Sequence, residues 1–183
     1  MSEKFNREKF KALVHYIIWK AGAADGFGAT KLNKVLWFAD ARSFSLTGKS
    51  ITGARYIREK FGPVPHQIMP IRNELEQTGL ISQLRHKTYG ERGPQVWIFK
   101  ANQPPDILLF STEELKQVNW WIDYVNGKTA NEISEESHDY GWEIAREGED
   151  LPFHAFLTSR IKEEPSAEAI EWARKRAKEL GLN

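Results

Sequence analysis

The sequence predicts an α+β fold, mainly helical, built as one compact domain with a helical appendage. Three observations carry that expectation. Apolar residues recur at helical spacing in three stretches, around Phe10–Ile18, Leu32–Ala39 and Leu115–Val125. Residues 80–101 alternate around the turn segment TYGERGP and read as a β-hairpin. Two pairs, Ser111 with Glu114 and Thr129 with Glu132, have the spacing of capping boxes at helix starts. The 183 residues suffice for a real core.

The first helix rests on Phe10, Leu13, Val14, Ile17 and Ile18, which form one apolar stripe before the glycine-rich AGAADGFG breaks it. Thr30 is the expected N-cap of a second helix, with Leu32, Val35, Leu36 and Ala39 facing inward and a stop near Thr47-Gly48, where glycine can turn left-handed. Ala54–Phe61 reads as a short strand or an extended arm, and Gly62-Pro63-Val64-Pro65 as a rigid turn. A third helix carries Ile68, Ile71 and Leu75 on one side and stops at Gly79. Pro70 requires either a start near Met69, so that proline falls in the first turn, or a kink.

In the hairpin, Leu80, Ser82 and Leu84 alternate with Ile81, Gln83 and Arg85, and the chain returns through Gln95–Phe99. Arg85, His86, Lys87 and Arg92 lie towards its tip. After a proline-containing connector, Ser111 opens a helix with Leu115, Val118, Ile122 and Val125 buried, ended by Gly127. Thr129 opens another, and SHDYGWEIA continues helically with at most one break. Gly148–Phe153 is expected as a loop, and the last helix runs from about Ser166 to Leu180. The order helix, helix, strand, helix, hairpin matches a winged-helix-like core in outline, followed by a C-terminal helical part. Among the 7 tryptophans, Trp19, Trp37 and Trp97 fall on or near core stripes, whereas adjacent Trp120 and Trp121 cannot both face inward on one helix.

Composition removes several function classes. With 40% hydrophobic and 28% charged residues the chain reads as ordinary globular protein. It has no cysteine, so disulfides, thiolate metal sites and cysteine nucleophiles are excluded. The charged start MSEKFNREKF lacks a signal-peptide core, and no apolar run approaches the roughly 18 residues of a membrane span, so a cytoplasmic protein with no membrane partner is expected. His15, His66, His86, His138 and His154 share no metal-ligand spacing, and no phosphate-cradling glycine motif occurs, so neither metal nor cofactor is expected. Ser137-His138-Asp139 is no catalytic triad, since consecutive helical residues point about 100° apart. No enzymatic motif remains, and the expectation is a protein that is not an enzyme.

Charge is divided along the chain. Residues 1–100 carry 17 Lys/Arg against 8 Asp/Glu, a net +9, and residues 101–183 carry 9 against 17, a net −8. The halves either attract one another or present surfaces of opposite potential. The basic first half supports one alternative function, a winged-helix-type DNA-binding transcriptional regulator using Arg72 on the third helix and Arg85, Lys87 and Arg92 on the hairpin. Glu74 and Glu76 on that same helix oppose phosphate.

Two stretches resemble the Panacea (SocA-like antitoxin) family. The first is KLNKVLWFADARSFSLTGKSITGARYIREKFGPVP, residues 31–65, with Lys31, Leu32, Lys34, Trp37, Phe38, Thr47-Gly48, Ile51-Thr52-Gly53, Tyr56 and Phe61-Gly62-Pro63-Val64 at the family's positions. The second is Ser137-His138 with Trp142. Trp37 stands where the family usually has tyrosine, and Pro70 is unusual for it. The resemblance covers roughly residues 8–160, leaving 161–183 as a C-terminal helical extension. It implies a bacterial or phage-associated antitoxin of a type II-like toxin–antitoxin system, which neutralises a cognate toxin encoded next door by direct protein binding. For the SocA type it also implies service as an adaptor that hands the toxin to a protease.

The partner-binding residues that follow are Thr52, Tyr56, Arg58, Phe61, Gly62, Pro63, Val64, Ser137, His138 and Trp142. Thr52-Gly53 and Gly62-Pro63-Val64 shape the backbone, and on the functional reading they place Tyr56, Ile57 and Arg58 on an exposed strand edge that docks a partner. His138 is expected to stack or hydrogen-bond near Trp142, one helical turn away.

Overall fold

A computed structural model describes residues 4–87, 95–158 and 167–179 of the chain. It is α+β and mainly helical, with two small antiparallel sheets. Helix α1 (Arg7–Ala21) starts at Asn6, whose side chain accepts from the Lys9 N–H at 3.0 Å, and its Phe10, Leu13, Val14, Ile17 and Ile18 are all buried. Trp19 on the same helix is exposed, contrary to the expectation from its position near the stripe. One residue after Ile18, it projects about 100° off the apolar face.

Helix α2 (Ala29–Thr47) is the central element, packed against α1 and, later in the chain, against the elements at Gly62–Pro65, Gln95–Ala101, Thr112–Asn126, Ala130–Glu136 and Phe153–Thr158. Its N-cap is Gly28 and not Thr30, which lies inside the first turn. Gly28 takes an extended conformation with no side-chain cap, and a Cβ there would lie a tight 3.0 Å from the Trp97 carbonyl oxygen. The C-terminus falls where expected, with Gly48 left-handed at φ +74°.

Strand β1 (Tyr56–Glu59) pairs antiparallel with β2 (Gly62–Pro65), in the register Tyr56↔Pro65 to Glu59↔Gly62. The segment Gly62–Pro65 is therefore a strand and not the turn; the reversal occurs at Lys60-Phe61. Its prolines are tolerated because β2 is an edge strand, where a missing N–H costs no ladder bond. The other flank of β1 is taken by β5 (Asp150–Leu151), so β1 is central and offers no free edge. The expected loop Gly148–Phe153 thus contains a strand too short to alternate visibly, and Phe153 opens the next helix.

Helix α3 (Ile68–Gln77) buries Ile68, Ile71 and Leu75 and accommodates Pro70 in its first turn, where the lost donor has no partner to lose. The hairpin consists of β3 (Ile81–Lys87) and β4 (Gln95–Ala101). Ile81, Gln83 and Phe99 face the core, while Leu84 and its cross-strand partner Ile98 face outward. The turn containing Arg92 lies outside the described residues. The expected element order is present, but β1 and the hairpin belong to separate sheets.

Both capping boxes form, at α4 (Thr112–Asn126) and α5 (Ala130–Glu136). Trp121 is buried against Phe38, with ring centroids 4.8 Å apart, and Trp120 is exposed. Ser137–Asp139 breaks the helix, and Asp139 caps α6 (Tyr140–Ile144) through the Trp142 N–H at 2.9 Å. Helix α7 (Phe153–Thr158) brings Phe153 onto Trp37 at 5.4 Å, and α8 (Ala167–Glu179) leaves Ile170 and Trp172 exposed. Among the described residues, no helix is long and apolar enough to cross a membrane.

Candidate partner-binding site

Helix α2 turns Lys34, Trp37 and Asp40, spaced by three, towards the three-stranded sheet. A buried carboxylate needs partners, and Asp40 has four donors. Its Oδ1 accepts from the backbone N–H groups of Ile51 at 2.8 Å and Thr52 at 3.1 Å, and its Oδ2 from the hydroxyls of Thr52 at 2.9 Å and Tyr56 at 2.8 Å. Burial outweighs these bonds and pushes the Asp40 carboxyl up to about 6. Burial and the Asp40 charge hold the Tyr56 hydroxyl well above its ordinary value, so it remains a donor. Tyr56 also packs edge-on to Trp37 at 5.1 Å. Tyr56 and Thr52 are consequently interior residues, and the expectation that Tyr56 sits on an exposed docking edge is corrected.

Nearly two turns before Asp40 on α2, Lys34 is buried and donates to the Pro63 carbonyl at 3.3 Å. Burial lowers its ammonium to about 7. Gly62, at φ +97°, approaches this group so closely that a Cβ would lie 2.5 Å from Lys34 Nζ and overlap the Ser137 hydroxyl. Ser137 is buried and donates to the Ser134 carbonyl at 2.6 Å, while Ser134 donates to the Phe61 carbonyl at 2.8 Å. The two motif stretches, some 80 residues apart, therefore meet side chain to backbone at the β1–β2 turn.

His138 stacks on Trp142 with centroids 3.6 Å apart and planes 8° from parallel. The stacking matches expectation, but a single helix does not produce it: His138 lies in the break before α6, and the Asp139 cap folds Trp142 back beneath it. Burial first, then the charges of Lys34 and Arg58, lower the His138 pKa, which favours a neutral ring. The Arg58 guanidinium lies 4.1 Å from the Trp142 ring centroid and donates through Nε to the Trp142 carbonyl at 3.1 Å. Trp142 Nε1 donates to the Glu59 carbonyl at 2.9 Å. Arg58, His138 and Trp142 are half-buried, and Phe61, at the turn beside them, is 59% exposed. Val64 pairs with Ile57 across the β1–β2 ladder, where both are half-buried.

Sequence reasoning missed Asp40 as the organiser of this centre. The available signal was an acidic residue on the buried face of an apolar helix, followed by a threonine-glycine turn that could supply donors.

Of the alternative nucleic-acid residues, Arg92 lies outside the described residues, and Arg72 is not on the surface with Arg85 and Lys87. Arg72 is buried; its guanidinium donates to Gln83 Oε1 at 2.7 and 3.0 Å and packs over Trp97 and Phe99 at 4.4 and 4.6 Å. Its assignment as a phosphate contact is corrected on that ground. Arg85 packs over Trp97 at 4.6 Å, and Lys87 ends β3, both exposed. No group of three metal-ligating side chains occurs among the described residues.

The family model for the antitoxin SocA-like, Panacea domain matches residues 32–143, which span α2 through most of α6 and so both halves of this centre. No curated protein and no solved structure matches the chain significantly.

Proposed function

The chain belongs to the antitoxin SocA-like, Panacea domain family, and on that premise we propose that it neutralises a cognate toxin by binding it directly. Family membership supports an antitoxin role and, in general terms, a toxin partner. The observation that carries the finer reading is the convergence of the two motif stretches on the β1–β2 turn. Buried Lys34, Asp40, Thr52, Tyr56, Gly62, Pro63 and Ser137 shape that turn, and Arg58, Phe61, His138 and Trp142 line its accessible rim. An arginine stacked on tryptophan beside an exposed phenylalanine has the composition of an interface hot spot.

On this reading the protein acts by binding alone, without catalysis, in the cytoplasm where the toxin is made. The binding domain spans residues 8–160, with 161–183 as an extension. DNA binding is the lesser reading, since Arg72 is committed to the interior and leaves only exposed hairpin cations.

Co-expression with the product of the adjoining gene tests the proposal. The product alone should arrest growth, the chain should restore it, and the two should co-purify; a product that is harmless or not rescued sinks the assignment. The adaptor role adds a second requirement, a shorter toxin half-life when the chain is present, restored to normal in protease-deficient cells.

A further inference from the structure

A second surface lies where α2 ends and α4 begins. The chain enters α4 through a tight turn. Leu108 N–H donates to Asp106 Oδ1 at 2.9 Å, Phe110 N–H donates to the Ile107 carbonyl at 3.1 Å, and Ser111 then opens the capping box. These bonds fix the backbone, yet Ile107, Leu108 and Leu109 are all exposed, Leu108 at 91%. The turn thus leaves apolar surface of three consecutive aliphatic side chains in water, Leu108 almost wholly.

Beside the turn runs a groove of about 830 Å³ between the last turns of α2, the segment 49–52 and the start of α4. Lys9 and Ser111 line it, and the Lys9 ammonium lies 5.7 Å from the Phe110 ring, so groove and turn adjoin. Two of the groove's cations are spent internally, Lys9 on Glu114 at 2.7 Å and Lys116 on Glu113 at 2.8 Å. Lys4, Arg42 and Lys49 make no ion pair among the described residues, and Leu46, 62% exposed, adds an apolar wall. The surface thus combines an aliphatic knuckle with a groove whose cations outnumber its carboxylates among the described residues.

We propose that the Ile107–Leu109 turn and this groove dock an acidic segment of the toxin, with the knuckle entering an apolar recess and Arg42 and Lys49 taking carboxylates. The inference rests on the toxin-binding reading above and adds a surface outside the motif centre. Charge complementarity selects the occupant. Nucleic acid would find the same cations but gain nothing from an aliphatic turn, whereas a protein segment can cover the turn and place carboxylates on Arg42 and Lys49.

The test uses the full chain, the adjoining gene's product, and the variants Leu108→Asp and Arg42→Glu/Lys49→Glu, with growth rescue and calorimetric affinity as readouts. Leu108 and Lys49 are exposed and Arg42 is half-buried with no ion pair among the described residues, so urea midpoints should stay close to that of the native chain. Each variant should bind the toxin about 10- to 100-fold more weakly, and the charge variant should also lose much of the salt dependence of association. If the native chain binds and both variants bind as tightly, this surface is not used and the toxin-binding reading stands. If the native chain neither binds nor rescues, both fall. DNA retention or self-association lost in Arg42→Glu/Lys49→Glu would give the groove another occupant and overturn the proposal.

Discussion

The hydroxyl of Tyr56 donates to the buried carboxylate of Asp40 at 2.8 Å, tying the first strand of the sheet to the central helix. The same carboxylate holds the Ile51-Thr52 turn, so one side chain fixes both the turn and the strand that follows. Tyr56→Phe keeps the ring on Trp37 and removes one hydrogen bond to a charged acceptor, which should cost about 1.5–3 kcal/mol. Asp40→Ala strands four donors and should cost more, about 3–5 kcal/mol by analogy with breaking a buried pair. Urea unfolding measures both. A Tyr56→Phe midpoint equal to the native one would mean that the bond contributes nothing net.

Gly62 is where the two motif stretches touch, and it tolerates no side chain. Gly62→Ala adds a methyl group that overlaps Ser137 Oγ at a backbone angle of φ +97°, which L-residues avoid. The expected loss is about 3 kcal/mol or more. Ser137→Gly removes the overlapping hydroxyl but not the backbone strain, so in a double-mutant cycle it should recover part of that loss. Strict additivity of the two substitutions would show that the close approach carries no energy.

Much of this architecture can be read from periodicity. The stripes of α1 and α4, both capping boxes and the hairpin are local patterns, and each forms from residues close in sequence. What escaped is non-local. β5 is two residues long and exists only because Tyr56 and Ile57 lie across from it. Gly62–Pro65 carries the signature of a turn, yet pairs as an edge strand because its partner β1 accepts it. Tyr56 looked available because turns at Thr52-Gly53 and Gly62-Pro63-Val64 flank it; its burial depends on Asp40, 16 residues earlier. The sequence pointed to two separate stretches; that both reach the β1–β2 turn, and which of their residues are buried in the centre and which lie on its rim, depends on contacts between residues far apart in the chain.

Arg72 and the hairpin cations should behave oppositely. Arg72→Ala removes a guanidinium buried between Gln83, Trp97 and Phe99 and leaves the Gln83 amide oxygen without its donor, which should cost about 2–4 kcal/mol. Arg85→Ala and Lys87→Ala change exposed side chains and should fall within about 0.5 kcal/mol. Thermal melts of the three variants check this. Equal destabilisation by all three would contradict the burial of Arg72.

Lys34 and Asp40, two turns apart on α2, make stability depend on pH in opposite directions. Lys34 titrates at about 7 when folded and at its ordinary 10.5 when unfolded. Between those values the unfolded chain binds more protons, so stability rises with pH; below about 7 both states are protonated and the term is flat. Asp40 titrates at about 6 when folded against an ordinary 3.8. In that window the folded chain binds more protons, so stability falls as pH rises and is flat above about 6. His138, lowered by burial and by Lys34 and Arg58, adds a rise that ends at its ordinary 6.5. Glu74, held at about 2 by Arg7 and Lys11, loses its contribution as pH falls below its ordinary value and so opposes Asp40 at the acid end. Differences between native and variant profiles therefore isolate each group better than the native curve alone. The pair places a local minimum between about pH 6 and 7. Lys34→Met should raise stability near neutrality and flatten the alkaline rise, and Asp40→Asn should flatten the acid fall. Urea midpoints collected across the range decide it: an alkaline limb unchanged in Lys34→Met would mean that Lys34 keeps its ordinary affinity for the proton in the folded interior and stays charged through the alkaline range.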